Sequence, residues 1–177
     1  MSDLPLKLER LTDVGYLNIR GDTSDVEFVE IVQKVCAATL PVTANTMNGE
    51  DPKIYWLGPD EWLLAGNIAA ISKIEVALAQ QLEHKHAAVN NLSGSQVGYR
   101  LAGDAAQELL AKGCTLNLYP DVFGVDRCAQ TALAKAAVLI SPLATGRGYE
   151  IIVRRSFADY LWQWLLRAGR QYRIDVA

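Results

Sequence analysis

Ile54-Tyr55-Trp56-Leu57-Gly58-Pro59-Asp60-Glu61-Trp62-Leu63-Leu64-Ala65 reads as two β segments joined by a tight turn. Aromatic and branched residues fill both arms, which suits a pleated, half-buried surface. Pro59 stands where a type I turn requires a fixed φ, and Asp60 follows it. Upstream, a polar stretch through Asn45, Asn48, Gly49 and Asp51 reads as a loop. Before it, Phe28, Ile31, Val32 and Val35 fall at i, i+3, i+4 and i+7, the spacing of one helical face. Ser24, with Glu27 three residues on, has the spacing of a capping box that would start this helix. Further upstream, Tyr16-Leu17-Asn18-Ile19-Arg20 is a strand closed by Gly21-Asp22. Downstream, Ile71, Ile74, Leu78 and Leu82 predict a helix over about 69–82. The order is β-α-β-β-α.

The same order returns in the second half. Tyr99-Arg100-Leu101-Ala102 leads into Gly103-Asp104, and a helix follows that Gly113 stops. Asp104 and Gln107 repeat the capping-box spacing. A β segment near 131–140 and another over 149–153 are joined by a loop holding Pro142, Gly146 and Gly148. The last helix begins at Ser156, with Asp159 in the capping-box position, and ends near Gly169. Gly21-Asp22 and Gly103-Asp104 are 82 residues apart (103 − 21), and Gly58 and Ser141 are 83 apart (141 − 58). The chain is therefore read as α+β, one domain over 1–177 with two pseudo-symmetric halves at about 14–85 and 88–170.

Composition narrows the function. Half of the 177 residues are apolar and 21% are charged, an ordinary globular mixture that excludes a disordered chain. A net charge of −3 argues against an electrostatic nucleic-acid binder. No apolar run approaches the roughly 18 residues needed to span a bilayer. Met1-Ser2-Asp3-Leu4-Pro5 lacks the basic and apolar regions of a secretory signal, so the expected compartment is the cytoplasm. Cys36, Cys114 and Cys128 match neither a disulfide framework nor a zinc pattern and are expected as buried or half-buried free thiols.

Catalytic equipment is hard to find. His84 and His86 stand two apart near a helix end, which points them to different faces. A weak metal site is conceivable there, but a solvated helix terminus is the commoner outcome. There is no G-x-S-x-G elbow, and Leu92-Ser93-Gly94-Ser95 reads as a turn. Neither G-x-G-x-x-G nor a Walker pattern occurs, and Thr145-Gly146-Arg147-Gly148 precedes a strand rather than a helix, which aims its amides wrongly for phosphate. Asp60-Glu61 and Asp104 are explained by turn and cap chemistry. No catalytic, cofactor-binding or metal residue is assigned.

The tryptophans say more. Trp56 and Trp62 flank the first hairpin turn and should anchor it to the core. In the last helix, at about 100° per residue, Phe157, Tyr160, Leu161, Trp164 and Ala168 form one stripe with Leu165 at its border. Trp162 and Leu166 then fall on the far side. Bulky apolar residues off the core stripe mean either a wider buried face or a docking surface, so both are candidate partner contacts.

Five blocks carry a resemblance: Arg20-Gly21-Asp22, Leu57-Gly58-Pro59-Asp60-Glu61-Trp62-Leu63-Leu64, Lys112-Gly113-Cys114-Thr115-Leu116-Asn117-Leu118, Cys128-Ala129-Gln130-Thr131 and the run from Arg154 to Leu165. In this order, from about residue 15 to 168, the chain resembles the gamma subunits of heterotetrameric sarcosine oxidase. The resemblance implies a fold like the folate-binding domain of the glycine-cleavage T-protein. It implies a complex that oxidatively demethylates sarcosine to glycine, giving hydrogen peroxide and formaldehyde or methylenetetrahydrofolate. It implies alpha and beta subunits as partners, with a delta subunit as a further candidate. FAD, FMN, NAD and tetrahydrofolate would belong to the complex, with no cofactor bound by this chain. The implied role is structural and non-catalytic. The other reading is a free-standing folate-binding regulatory module. Related regulators of that kind carry K-G-C-[YF]-x-G-Q-E, whereas here Lys112-Gly113-Cys114 is followed by Thr115-Leu116.

Overall fold

A computed structural model describes residues 6–177. The chain divides into two compact units. The first is Asp13–Gly94, and the second is Ser95–Ala177 together with the described residues up to Thr12.

The first unit runs β2 (Val14–Arg20), α1 (Val26–Cys36), β3 (Met47–Asn48), β4 (Lys53–Gly58), β5 (Glu61–Asn67), α2 (Ile68–Gln81) and β6 (Ala88–Asn91). The second begins with β1 (Leu6–Arg10). It continues β7 (Gln96–Ala102), α3 (Ala106–Ala111), β8 (Ala129–Leu133), β9 (Ala136–Pro142), β10 (Gly148–Arg154), α4 (Arg155–Ala168) and β11 (Ile174–Val176). From β2 and from β7 onward, both units therefore follow β-α-β-β-β-α-β, one strand longer at the middle and at the end than the sequence predicts. The sheets correspond as well. The first is ordered β3-β4-β5-β2-β6 and the second β8-β9-β10-β7-β1-β11.

The repeat has a crossed element. β6, which precedes β7 in the chain, pairs with β2, and β1, which precedes β2, pairs with β7. The registers match: Lys7 faces Ala102 and Arg10 faces Tyr99, while Ala88 faces Arg20 and Asn91 faces Leu17. Each leading strand thus joins the sheet of the unit it does not directly precede in the chain. For that reason the first unit extends to Gly94, past the expected boundary at 85, and strand β6, at the start of the expected second half, belongs to the first unit.

Each sheet packs one face on its helices. Leu17, Ile19, Ile54, Trp62 and Leu64 meet Phe28, Val32, Ile71 and Leu78 in the first unit. Leu8, Tyr99, Leu101, Ile140 and Ile151 meet Leu109, Leu161 and Leu165 in the second. Each of these large side chains is almost fully buried, and burial of one such group contributes about 1.5–3 kcal/mol. Trp62, at 0% exposure, also donates its indole N–H to the Pro41 carbonyl at 2.7 Å. Trp56 sits directly opposite it across the hairpin, half-buried against the same core.

Capping departs from the sequence reading at three helices. α1 is capped by Asp25, whose Oδ1 accepts the N–H groups of Glu27 and Phe28 at 3.1 and 3.2 Å. Ser24, the expected cap, instead donates its own N–H to Asp22. α3 is preceded by Ala105 and has no side-chain cap, because Asp104 lies one residue too early to reach the first turn. α4 follows β10 without a break, so neither Ser156 nor Asp159 caps it. The N–H of Arg155 is satisfied by the Ser95 carbonyl at 2.8 Å. Two further elements differ. The predicted β segment near 131–140 is two strands that turn at Ala134-Lys135, with Ala134 at φ 53. Ser141 lies inside β9 opposite Glu150, so it is not the counterpart of Gly58.

Candidate interaction surfaces

The polar residues singled out in the sequence are distributed over both units. Asp60 pairs with Arg20 at 3.0 Å on the exposed rim of an open cleft of about 650 Å³, which Gly21, Asp22, Pro59 and His86 also line. Glu61 opens β5 and accepts from the amide of Asn18 at 2.9 Å, a cross-strand bond that accounts for a buried asparagine. Asp104 is exposed and stands 4.0 Å from the Arg147 guanidinium at the tip of the β9–β10 hairpin. His84 and His86 are exposed after the end of α2. Among the described residues no group of three or more His, Cys, Asp or Glu is placed to hold a metal ion. Ser93 closes a turn by accepting from the Tyr16 N–H at 3.0 Å. All three cysteines are buried and outside any disulfide, and burial pushes the Cys36 thiol up to about 12.

Two charged clusters are structural ties. Lys85 reaches both Asp25 and Glu27, joining the segment after α2 to the start of α1. The lysine holds the Asp25 carboxyl below its ordinary range, and the two carboxylates raise the lysine. Across β1, β7 and β10, Arg100 bridges Glu9 at 3.8 Å and the buried Glu150 at 2.9 Å.

Lys112-Gly113-Cys114 forms a clasp. Lys112 Nζ donates to the Ala168 carbonyl at 2.6 Å and lies 4.9 Å above the Tyr172 ring. The indole of Trp164 rests on Gly113 so closely that a Cβ there would come within 2.7 Å of its Cη2. Cys114 bridges to Leu133, with its sulfur 3.9 Å from Thr131 Oγ1. The block fastens the last turn of α4 to the segment after α3.

α4 is rotated relative to the sequence reading. Its buried stripe is Ala158, Leu161 and Leu165. Trp162 and Leu166, expected on the solvent side, are half-buried against the core of the second unit, and the Trp162 ring lies 5.3 Å from that of Tyr99. Phe157 and Tyr160, expected in the core, are 42% and 38% exposed. The buried stripe keeps the expected 3.6-residue period but is shifted in phase around the helix. The small Ala158 marks the true contact line, because it lets the helix approach Tyr99, whose hydroxyl donates to the Ala158 carbonyl at 2.9 Å. Phe157 and Tyr160 meet edge to face at 6.5 Å. Other exposed apolar side chains include Tyr119, Val122 and Val125 on the segment before β8, and Val76 on α2.

These features define an α+β protein of two repeated units with exposed apolar side chains on α4 and on the segment before β8. The fold is shared with the glycine cleavage system aminomethyltransferase T from Bartonella henselae. That likeness has a TM-score of 0.72 at 19% identity and spans 99% of this chain and 48% of the other. The chain belongs to the sarcosine oxidase gamma subunit family, whose model matches residues 20–171. It is 31% identical over 164 residues to the sarcosine oxidase subunit gamma of Corynebacterium sp. (strain U-96), covering 91% of this chain and 76% of that one. A chain in the structure of the heterotetrameric sarcosine oxidase from Corynebacterium sp. U-96 superposes with a TM-score of 0.83 at 29% identity, over 95% of this chain and 85% of the other.

Proposed function

We propose that this chain is the gamma subunit of a heterotetrameric sarcosine oxidase and acts in its assembly rather than in its chemistry. The observation that carries this is the superposition over 95% of the chain on a component of such a complex. The enzyme would oxidise sarcosine to glycine on alpha and beta subunits that hold FAD, FMN and NAD, with delta as the fourth chain. Within this chain the ionisable groups support the same role. Asp25, Lys85, Arg100 and Glu150 are engaged in ties that hold its own elements together. Trp162 and Leu166 would contribute only their outer edges to a partner.

The folate-binding alternative has the shared fold behind it. Each residue of its incomplete block, Lys112, Gly113 and Cys114, is engaged in the clasp that holds α4. Co-expression with the alpha, beta and delta subunits followed by affinity capture of this chain tests the proposal. Equimolar recovery of all four is expected. Full assembly of an active oxidase without this chain would refute it. Calorimetric titration with tetrahydrofolate should give no heat, and saturable binding would favour the alternative.

A further inference from the structure

The outer side of α4 has a composition unlike the rest of the molecule. Phe157, Tyr160, Trp164 and Arg167 fall at i, i+3, i+7 and i+10, so they form one continuous strip about 15 Å long at 1.5 Å per residue. The first two rings are exposed and Trp164 is half-exposed. Five of the chain's ten arginines, Arg154, Arg155, Arg167, Arg170 and Arg173, lie in the 20 residues from 154 to 173. That segment has no lysine and one carboxylate, Asp159. All five are exposed, and among the described residues none of the five guanidinium groups is in an ion pair. The segment therefore carries about +4 in a chain whose net charge is −3.

Each part of this pattern has a physical reading. Aromatic rings supply large contact area at low entropic cost, and Trp, Tyr and Arg are the residue types that dominate binding at protein interfaces. Arginine, unlike lysine, pairs carboxylates in a planar two-pronged geometry and is more easily stripped of water. A solvated helix face needs neither. α2 illustrates the ordinary case, since its exposed face has Val76 with Ser72, Lys73 and Gln80 around it and no aromatic residue.

We infer that the Phe157–Tyr160–Trp164–Arg167 strip of α4 is the surface by which this chain is held, and that it meets an apolar groove edged with carboxylates on another subunit of the oxidase. The inference rests on the gamma-subunit reading above and adds to it the surface and the chemistry of its partner. The charge complementarity selects an acidic protein surface. A duplex or an anionic bilayer would be gripped by a broad basic field, whereas here an acidic residue interrupts the arginines and rings fill the middle of the strip.

The test uses the co-expressed complex, captured through a tag on the alpha subunit. Phe157→Ser and Arg167→Glu change exposed groups, so circular dichroism of the isolated chain should match wild type. Each should lower the amount of this chain retained by about tenfold or more. Lys73→Glu on α2 should retain it as wild type does. Retention of wild type should fall with added salt, and less steeply for Arg167→Glu. If wild type is captured and both strip variants are captured equally well, the surface is wrong while the gamma-subunit reading stands. If wild type is not captured, both fail. Capture of anionic vesicles or of DNA through this strip, in place of the subunits, would also overturn it.

Discussion

The clasp at Gly113 offers a direct test of how α4 is held. In Gly113→Ala the added methyl would stand within 2.7 Å of Trp164 Cη2 and 3.2 Å from the Ala134 N–H. The second neighbour is backbone, tied back to the Gly113 carbonyl by a 2.8 Å hydrogen bond, and cannot retreat. The indole must therefore swing outward. Overpacking of this kind costs about 1–3 kcal/mol. At roughly 2–4 °C per kcal/mol for a chain of this size, the midpoint should fall by about 2–12 °C. Differential scanning fluorimetry reads the midpoint, and tryptophan emission should shift to the red as Trp164 gains water. The double variant Gly113→Ala with Trp164→Leu removes the obstructing ring. It should be more stable than the sum of the two single effects, by about 0.5–3 kcal/mol of coupling. A Gly113→Ala protein with wild-type midpoint and emission, or additive effects in the double variant, would refute the clasp.

Other consequences can be checked alongside. Trp62→Phe removes the bond to the Pro41 carbonyl and leaves that group buried and unpaired, so urea denaturation should show a loss of about 1–3 kcal/mol before any cavity effect. The Asp25 carboxyl is lowered chiefly by its hydrogen bond from Lys85 and next by the Phe28 N–H. A group depressed in the folded state contributes stability that is present above its unfolded value and lost as pH falls through its folded value. Asp25→Asn should therefore lower the denaturation midpoint near neutrality, and the gap from wild type should close as pH drops below about 4. The raised Lys85 has the opposite sense. Its contribution is present below the ordinary lysine range and is lost above it, so Lys85→Met should converge with wild type only in strong alkali. Cys36, buried and pushed up to about 12, should resist a thiol reagent in the native protein and react after unfolding.

The hairpin at 54–65, both long helices and the repeated β-α order were legible because each has strong local chemistry: aromatic arms around a proline turn, or a regular apolar stripe. The elements missed lack such signals. β6 reads Ala88-Val89-Asn90-Asn91, with two asparagines that disfavour strands, and it exists because β2 offers an open edge. The turn at Ala134-Lys135 contains no glycine, proline or asparagine, so two strands looked like one. The phase of α4 was ambiguous because seven of the ten positions in 157–166 are large and apolar or aromatic. Only a tertiary contact, Tyr99 against Ala158, selects the buried side. The aromatic strip was visible as residues in the sequence and invisible as a surface.

The exchange of leading strands bears on how the protein comes into being. β1 is made before every other described strand. Yet its seat lies between β7 and β11, and Leu6 faces Ile174, 168 positions later (174 − 6). During synthesis the second sheet therefore cannot be completed until the last strand has left the ribosome, while the first can close once β6 has emerged. Such long-range closure slows folding and leaves unpaired strand edges exposed in the meantime. A nascent chain in this state has an open β1 and an unfilled β7 edge, and early contact with a partner or chaperone would shelter both. The order of events at the ribosome, as much as the finished fold, sets how long these strand edges stay uncovered.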